Sequence, residues 1–183
     1  GAPADVLATA DTGTMDGAGD LVDGPRPFAA NKLVIAVAPG NPLGITGLED
    51  LSRDGIKVVL AAPEVPAGKY AGDVLSKAGV EVEPVSLEVS VKGVVTKVAL
   101  GEADAGIVYT TDVAAASGDV KGVPIPDEQN VVAVYPLAAV TGGDRWREAA
   151  QTIFVTGSFW CGAASMAAAK ATITELHALD APA

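Results

Sequence analysis

The chain has 183 residues, with 12 lysines and arginines against 23 aspartates and glutamates, for a net charge of −11. At 49% hydrophobic residues it is a core-forming sequence, long enough to bury roughly 70% of the surface of its unfolded form without a disulfide or metal staple. The acid excess argues against nucleic acid as a partner, because phosphate-backbone binding rests on clustered Lys and Arg. Cys161 is the only cysteine and His177 the only histidine, which excludes an internal disulfide, a cysteine-based zinc site and a histidine-rich metal site. No run of about 18 apolar residues occurs, so no stretch has the length and character of a transmembrane helix. Gly1 opens the chain without a methionine or a basic-then-apolar leader, as expected of a processed product or a fragment.

In chain order, residues 4–8 have the length of a short buried strand, and Asp11 or Thr12 is a cap for a helical turn through Met15. Gly17, Gly19 and Gly24-Pro25-Arg26-Pro27 predict loop. The run from Lys32 to Ala38 is continuous and rich in β-branched residues, suited to a strand covered on both faces. Leu48 to Leu51 is a short helix, and Lys57 to Ala62 a second buried strand closed by Pro63. Between Ala67 and Ala78, Tyr70, Ala71, Val74, Leu75 and Ala78 recur at helical spacing, with Gly79 as the stop. Val80 to Leu87 is an edge or irregular strand because Pro84 interrupts it.

Ser90 is an N-cap for a helix with Val91, Val94, Val95 and Val98 on one face. Ala105 to Tyr109 is a further short strand, followed by a helical turn after Asp112 and by strands near 120–125 and 131–140. Asp144 caps a helix through Phe154, and residues 163–171 are alanine-rich. The alternation of strands and helices predicts an α/β fold with a largely parallel sheet.

Neither GxGxxG nor GxxxxGK[ST] occurs, and Ser158 and Ser165 lack a GxSxG elbow. A Ser-His-Asp triad would depend on His177 alone. Three places carry more chemistry. At Pro63 to Tyr70 a strand gives way to a helix whose entrance holds Pro66 and the small residues Ala67 and Gly68, leaving backbone N–H groups open. Ser90-Val91-Lys92-Gly93 is a second helix entrance, and both carry the positive end of a helix dipole. At Gly106 to Asp112 a buried strand delivers the phenol of Tyr109 at its carboxyl end, where open α/β sheets place ligands. Each alone is an ordinary helix start or rim tyrosine; together they suggest an anion held by neutral donors.

Five stretches carry a family resemblance: Gly1 to Asp11, Asn31 to Asn41, Val65 to Ala71, Val91 to Val94, and Leu100 to Asp112. In order and spacing, from Gly1 to about Ser158, they resemble the molybdate-binding proteins of bacterial ABC transporters. The resemblance implies a periplasmic-binding-protein-like α/β fold, two lobes with mainly parallel sheets joined by a hinge, and no enzymatic activity. It implies that the backbone N–H of Ala67, the backbone N–H of Val91 and the hydroxyl of Tyr109 are the oxyanion donors of the second lobe. Molybdenum would be present only inside the bound oxyanion, with no direct protein ligand and no cofactor. The family's other donors, from the first lobe, fall on segments preceding Gly1, so the first lobe is expected to be truncated. Residues 1–30 and 137–183 would be its remnant and 31–136 the second lobe, with the hinge near 28–32 and 134–137. From Phe159 to Ala183 the sequence departs from the family pattern.

The expected function is high-affinity binding of molybdate, and of tungstate, in an interlobe cleft for delivery to the membrane permease of an ABC transporter. A monomer outside the cytoplasm is implied, periplasmic and, in a longer parent, lipid-anchored. Several aligned N–H and O–H donors can replace the hydration shell of a dianion without a countercharge, which reconciles the ligand with the net charge of −11. The alternatives are a fragment without binding activity, a sulfate-class binder, and an α/β hydrolase using His177 or Cys161.

Overall fold

The computed structural model describes residues 6–140. Within it the chain divides into two compact units, one formed by Ala29–Val134 and the other by the chain on either side of it.

In the flanking unit, β1 (Val6–Ala8) pairs antiparallel with β7 (Val132–Val140), with Val6 opposite Ala139 and Ala8 opposite Leu137. The Thr9 N–H continues the contact by donating to the carbonyl of Pro136 at 3.0 Å. Asp11 caps α1 (Thr12–Gly17), its carboxylate accepting the Thr14 N–H at 2.7 Å, and Met15 on that helix is buried. The cap expected at Asp11 is therefore present, and it removes one orphan donor from a helix too short to hold itself together.

The unit Ala29–Val134 is built on a sheet in the order β6-β2-β5-β3-β4. Its strands are β2 (Val22–Val37), β3 (Val58–Ala61), β4 (Ser86–Glu88), β5 (Ala105–Tyr109) and β6 (Lys121–Pro124). β3 lies between β5 and β4 and is parallel to both, because helices carry the chain back between these strands. The helix α2 (Pro66–Ala78) links β3 to β4, and α3 (Val91–Ala99) links β4 to β5. β2 runs antiparallel to β5 and β6. The sheet is thus mixed rather than mainly parallel: only a short 3-10 turn at Leu48–Ser52 separates β2 from β3, and no crossover helix reverses the chain there.

The α/β class follows the sequence, with two local corrections. β2 begins at Val22 and includes Gly24-Pro25-Arg26-Pro27, where loop was expected, with Gly24 in the left-handed region at φ 57°. These four residues are exposed, and proline's fixed φ is compatible with extended chain wherever its missing N–H is not needed in a ladder. The helix after β5, α4 (Thr110–Ala115), starts two residues before Asp112 rather than after it. β4 is the three-residue edge strand that Pro84 foreshadows. The helix expected from Asp144 to Phe154, the segment 163–171, Cys161 and His177 lie outside the described residues.

The core of this unit is aliphatic. Leu33, Ile35 and Val37 of β2, Val59 of β3 and Ile107 of β5 are buried, and so are Val74 of α2 and Val94 and Val98 of α3. Each such side chain contributes about 1.5–3 kcal/mol by leaving water. Gly79 ends α2 in the left-handed conformation at φ 68°, its N–H donating to the carbonyls of Leu75 and Ser76. No described helix is long and apolar enough to cross a membrane.

Candidate functional site

The three parallel strands end at one edge of the sheet. Register sets Val59 of β3 opposite both Ser86 of β4 and Gly106 of β5, and Ala61 opposite Glu88. From their carboxyl ends the chain enters α2, α3 and α4 in turn, so two helix N-termini and Tyr109 share this edge.

Sequence dictates how α2 begins. Pro66 stands at its first position, where its missing N–H costs nothing, and Val65 before it has no side-chain acceptor to cap the helix. The N–H groups of Gly68 and Lys69 both turn back to the carbonyl of Val65, at 2.9 and 3.0 Å. Helix geometry offers the N–H of Ala67 no carbonyl of its own, and the Val65 side chain carries no oxygen that could cap it. Ala67 itself is buried. Gly68 allows the close seat: a Cβ there would run into the backbone carbonyls of Ala61 and Ala62 at the end of β3.

At α3 the cap is Ser90. Its hydroxyl accepts the Gly93 N–H at 3.3 Å, and its carbonyl accepts the same N–H at 3.0 Å. That leaves the Val91 and Lys92 N–H groups at the positive end of the helix dipole. The Val91 side chain is buried and anchors the turn, while Gly93 packs against Glu88, whose Oε2 would lie 3.1 Å from an added Cβ.

Tyr109, 8% exposed, is the last residue of β5 and the cap residue of α4. Its N–H donates to the Asp112 carboxylate at 3.0 Å. Burial pushes the Asp112 carboxyl above the ordinary aspartate range, partly offset by that hydrogen bond. Beside it, Asn31 on β2 accepts from the Thr110 hydroxyl at 2.7 Å and donates to the Thr111 hydroxyl at 2.8 Å.

Ala67, Val91 and Tyr109 therefore lie on three neighbouring strand-to-helix transitions at the same edge of one sheet. Asn31, Thr110, Thr111 and Asp112 join Tyr109 there, and sequence reasoning did not single out their side-chain contacts. The hydroxyl and amide residue types were the available signal; the pairing across about eighty positions was not. No group of three or more His, Cys, Asp or Glu able to hold a metal ion occurs among the described residues. Chemically, two helix N-termini and a phenol at one edge are uncharged donors of the kind that can hold an anion.

The model of the bacterial extracellular solute-binding protein family matches residues 1–153. The molybdate-binding protein ModA of Mycobacterium tuberculosis (strain H37Rv) is 43% identical over 143 residues, which are 76% of this chain and 55% of that protein. The chain spans about half the length of the curated relatives it matches. Among solved structures, the periplasmic molybdate-binding protein of Azotobacter vinelandii superposes with a TM-score of 0.58 at 21% identity, covering 93% of this chain and 78% of that one. The sulfate-binding protein SubI of M. tuberculosis gives 0.59 at 22% identity, covering 82% of this chain and 62% of that one. These two likenesses are of fold. The family whose model matches is one of solute-binding proteins, which leaves the hydrolase alternative without support. By fold and by a family match over most of its length, the chain belongs to the bacterial extracellular solute-binding proteins.

Proposed function

We propose that this chain is the oxyanion-binding part of a molybdate-binding protein that also accepts tungstate and serves an ABC transporter. One observation carries the reading: the N–H of Ala67, the N–H of Val91 and Tyr109 lie at the carboxyl ends of three adjacent parallel strands. Two helix dipoles and a phenol supply partial positive charge without a formal cation, which suits a fully deprotonated tetrahedral dianion. The likeness to ModA supports the choice of ligand.

In this reading Ala29–Val134 corresponds to the second lobe, and the flanking chain belongs to the first. Bending would occur near 28–32 and 134–137, where β2 and β7 pass from one unit to the other. Other donors come from the first lobe of the whole protein, whose place of action is outside the cytoplasm. Its partners are the permease subunits that accept the released anion; it acts as a monomer, and a lipid anchor is a property of the whole protein.

Calorimetry and thermal shift with molybdate, tungstate, sulfate and phosphate test this. A ligand at about 1,000 times its Kd stabilises the fold by about 4 kcal/mol. Stabilisation by molybdate and tungstate, lost in Tyr109→Phe, is the expected result. No shift with any oxyanion sinks the reading for this chain. A stronger response to sulfate than to molybdate moves the assignment toward the sulfate binders, which share the fold.

A further inference from the structure

Among the described residues of Ala29–Val134, the buried carboxamide side chains are those of Asn31 and Asn130. A buried carboxamide is costly unless its hydrogen bonds are made, so where each one makes them is informative. Asn130 serves the main chain: it accepts the Leu33 N–H at 3.3 Å and donates to the Leu33 carbonyl at 2.9 Å, tying the segment before β7 to β2. Asn31 instead serves two hydroxyls beside Tyr109.

The β2–β5 ladder sets Leu33 opposite Tyr109. Continued in register, it would set Asn31 opposite Thr111, but β5 ends at Tyr109 and the chain turns into α4. The Asn31 side chain takes over where the ladder stops. Its orientation is fixed, because the Lys32 N–H donates to Oδ1 at 3.0 Å and a donor can face only the oxygen. The Thr110 hydroxyl, 2.7 Å from the same oxygen, must then donate. The Thr111 hydroxyl, 2.8 Å from Nδ2, must accept. One carboxamide thus sets the hydrogen-bond direction of both residues that follow Tyr109. It does so from the strand that runs on through Phe28 into the other unit.

We propose that Asn31 is a positioning residue of the anion site: it clamps the hydroxyls of Thr110 and Thr111, and through them fixes the turn that presents Tyr109. The inference rests on the oxyanion reading above and adds to it a link between the site and the β2 strand.

The experiment uses the full 183-residue chain with Asn31→Ala, the exposed pair Thr110→Val and Thr111→Val together, and all three substitutions combined. Amide hydrogen exchange is followed without ligand, and molybdate affinity by calorimetry. Asn31→Ala is expected to raise exchange at 109–112 about tenfold with β3 amides unchanged, and to weaken molybdate about tenfold, the scale of one or two lost hydrogen bonds. The double valine variant should reproduce both effects, and the triple variant should add nothing. The valine pair keeps the test open if Asn31→Ala fails to fold. Unchanged exchange at 109–112, an increase spread evenly over β3 and β5, or additive losses in the triple variant each overturn the clamp. Unaltered molybdate affinity despite local loosening overturns its role in the site. A wild-type chain that binds no molybdate overturns the oxyanion reading and the positioning role with it; the exchange data still decide whether the clamp itself exists.

Discussion

The Asp112 carboxylate accepts the backbone N–H of Tyr109 at 3.0 Å, closing the first turn of α4 onto the strand end that carries the phenol. Burial raises the carboxyl above its ordinary value of 3.8, while the Tyr109 N–H pulls it back. Burial is the larger effect, so ionising Asp112 costs the folded state more than the unfolded one. The contribution of the group is therefore most favourable at low pH, where it is protonated in both states. It is lost as pH rises from the unfolded value through the folded one. Asp112→Asn keeps an oxygen for the Tyr109 N–H and removes the cost. Thermal melts between pH 3 and 8 are expected to show the variant more stable than wild type at about pH 7, with the two curves meeting on the acid side. A variant less stable at every pH would mean that the charged hydrogen bond outweighs desolvation.

Two glycines on one helix make opposite predictions. A Cβ on Gly68 would collide with the carbonyls of Ala61 and Ala62, which are backbone and cannot swing aside. Gly68→Ala is expected to cost about 1–3 kcal/mol in urea unfolding and to displace the start of α2, weakening oxyanion binding with it. Gly72 has nothing within 4 Å of an added Cβ. Gly72→Ala is expected to stabilise by about 0.5–1 kcal/mol through helix propensity and leave binding alone. Equal effects at the two positions would refute the close seat of α2 on β3.

The elements that frame this edge are legible where burial and period coincide. Tyr70, Ala71, Val74 and Leu75 on α2, and Val91, Val94 and Val98 on α3, repeat at helical spacing because one face of each helix is buried. The caps at Asp11, Ser90 and Gly79 are legible because each residue type solves a local problem at a helix end. The first half of β2 is not, since Gly24-Pro25-Arg26-Pro27 carries the punctuation of a loop yet falls within the strand. Nor is the Asn31 clamp, whose partners are 79 and 80 positions away and meet only when β2 pairs with β5. The positions of Ala67, Val91 and Tyr109 follow from family resemblance and strand order; their support by Asn31 and Asp112 needs the folded register.

A partly buried ion pair holds the edge strand to α3. Lys97 Nζ lies 2.7 Å from Glu88 and 3.0 Å from the Ser86 hydroxyl, which itself donates to Glu88 at 2.8 Å. The Lys97 hydrogen bond, then that of Ser86, holds Glu88 below its ordinary value of 4.5. A lowered carboxylate contributes stability above the unfolded value and loses it as pH falls through the folded one. Lys97→Met is expected to cost about 0.5–1 kcal/mol at about pH 7. The difference should shrink in high salt and vanish below the glutamate range. A cost independent of both pH and salt would assign the effect to packing of the lysine stem instead.

The sharpest separation of donor from scaffold is available at Val91. It opens α3, and Ser90 before it is extended at φ −156° and ψ 152°, a conformation that a following proline accepts. Val91→Pro therefore deletes one N–H at a position where proline's fixed φ suits a first helical turn. Val91→Ala keeps that N–H and deletes buried side-chain volume instead. The alanine variant is expected to lose about 1–3 kcal/mol of stability while retaining molybdate affinity in the folded protein. The proline variant is expected to hold its helix, seen by circular dichroism, yet bind molybdate about tenfold or more weakly, the scale of a hydrogen bond to a charged acceptor. If instead the alanine variant loses affinity and the proline variant keeps it, the contribution of Val91 is packing and the backbone donor at this position is misassigned.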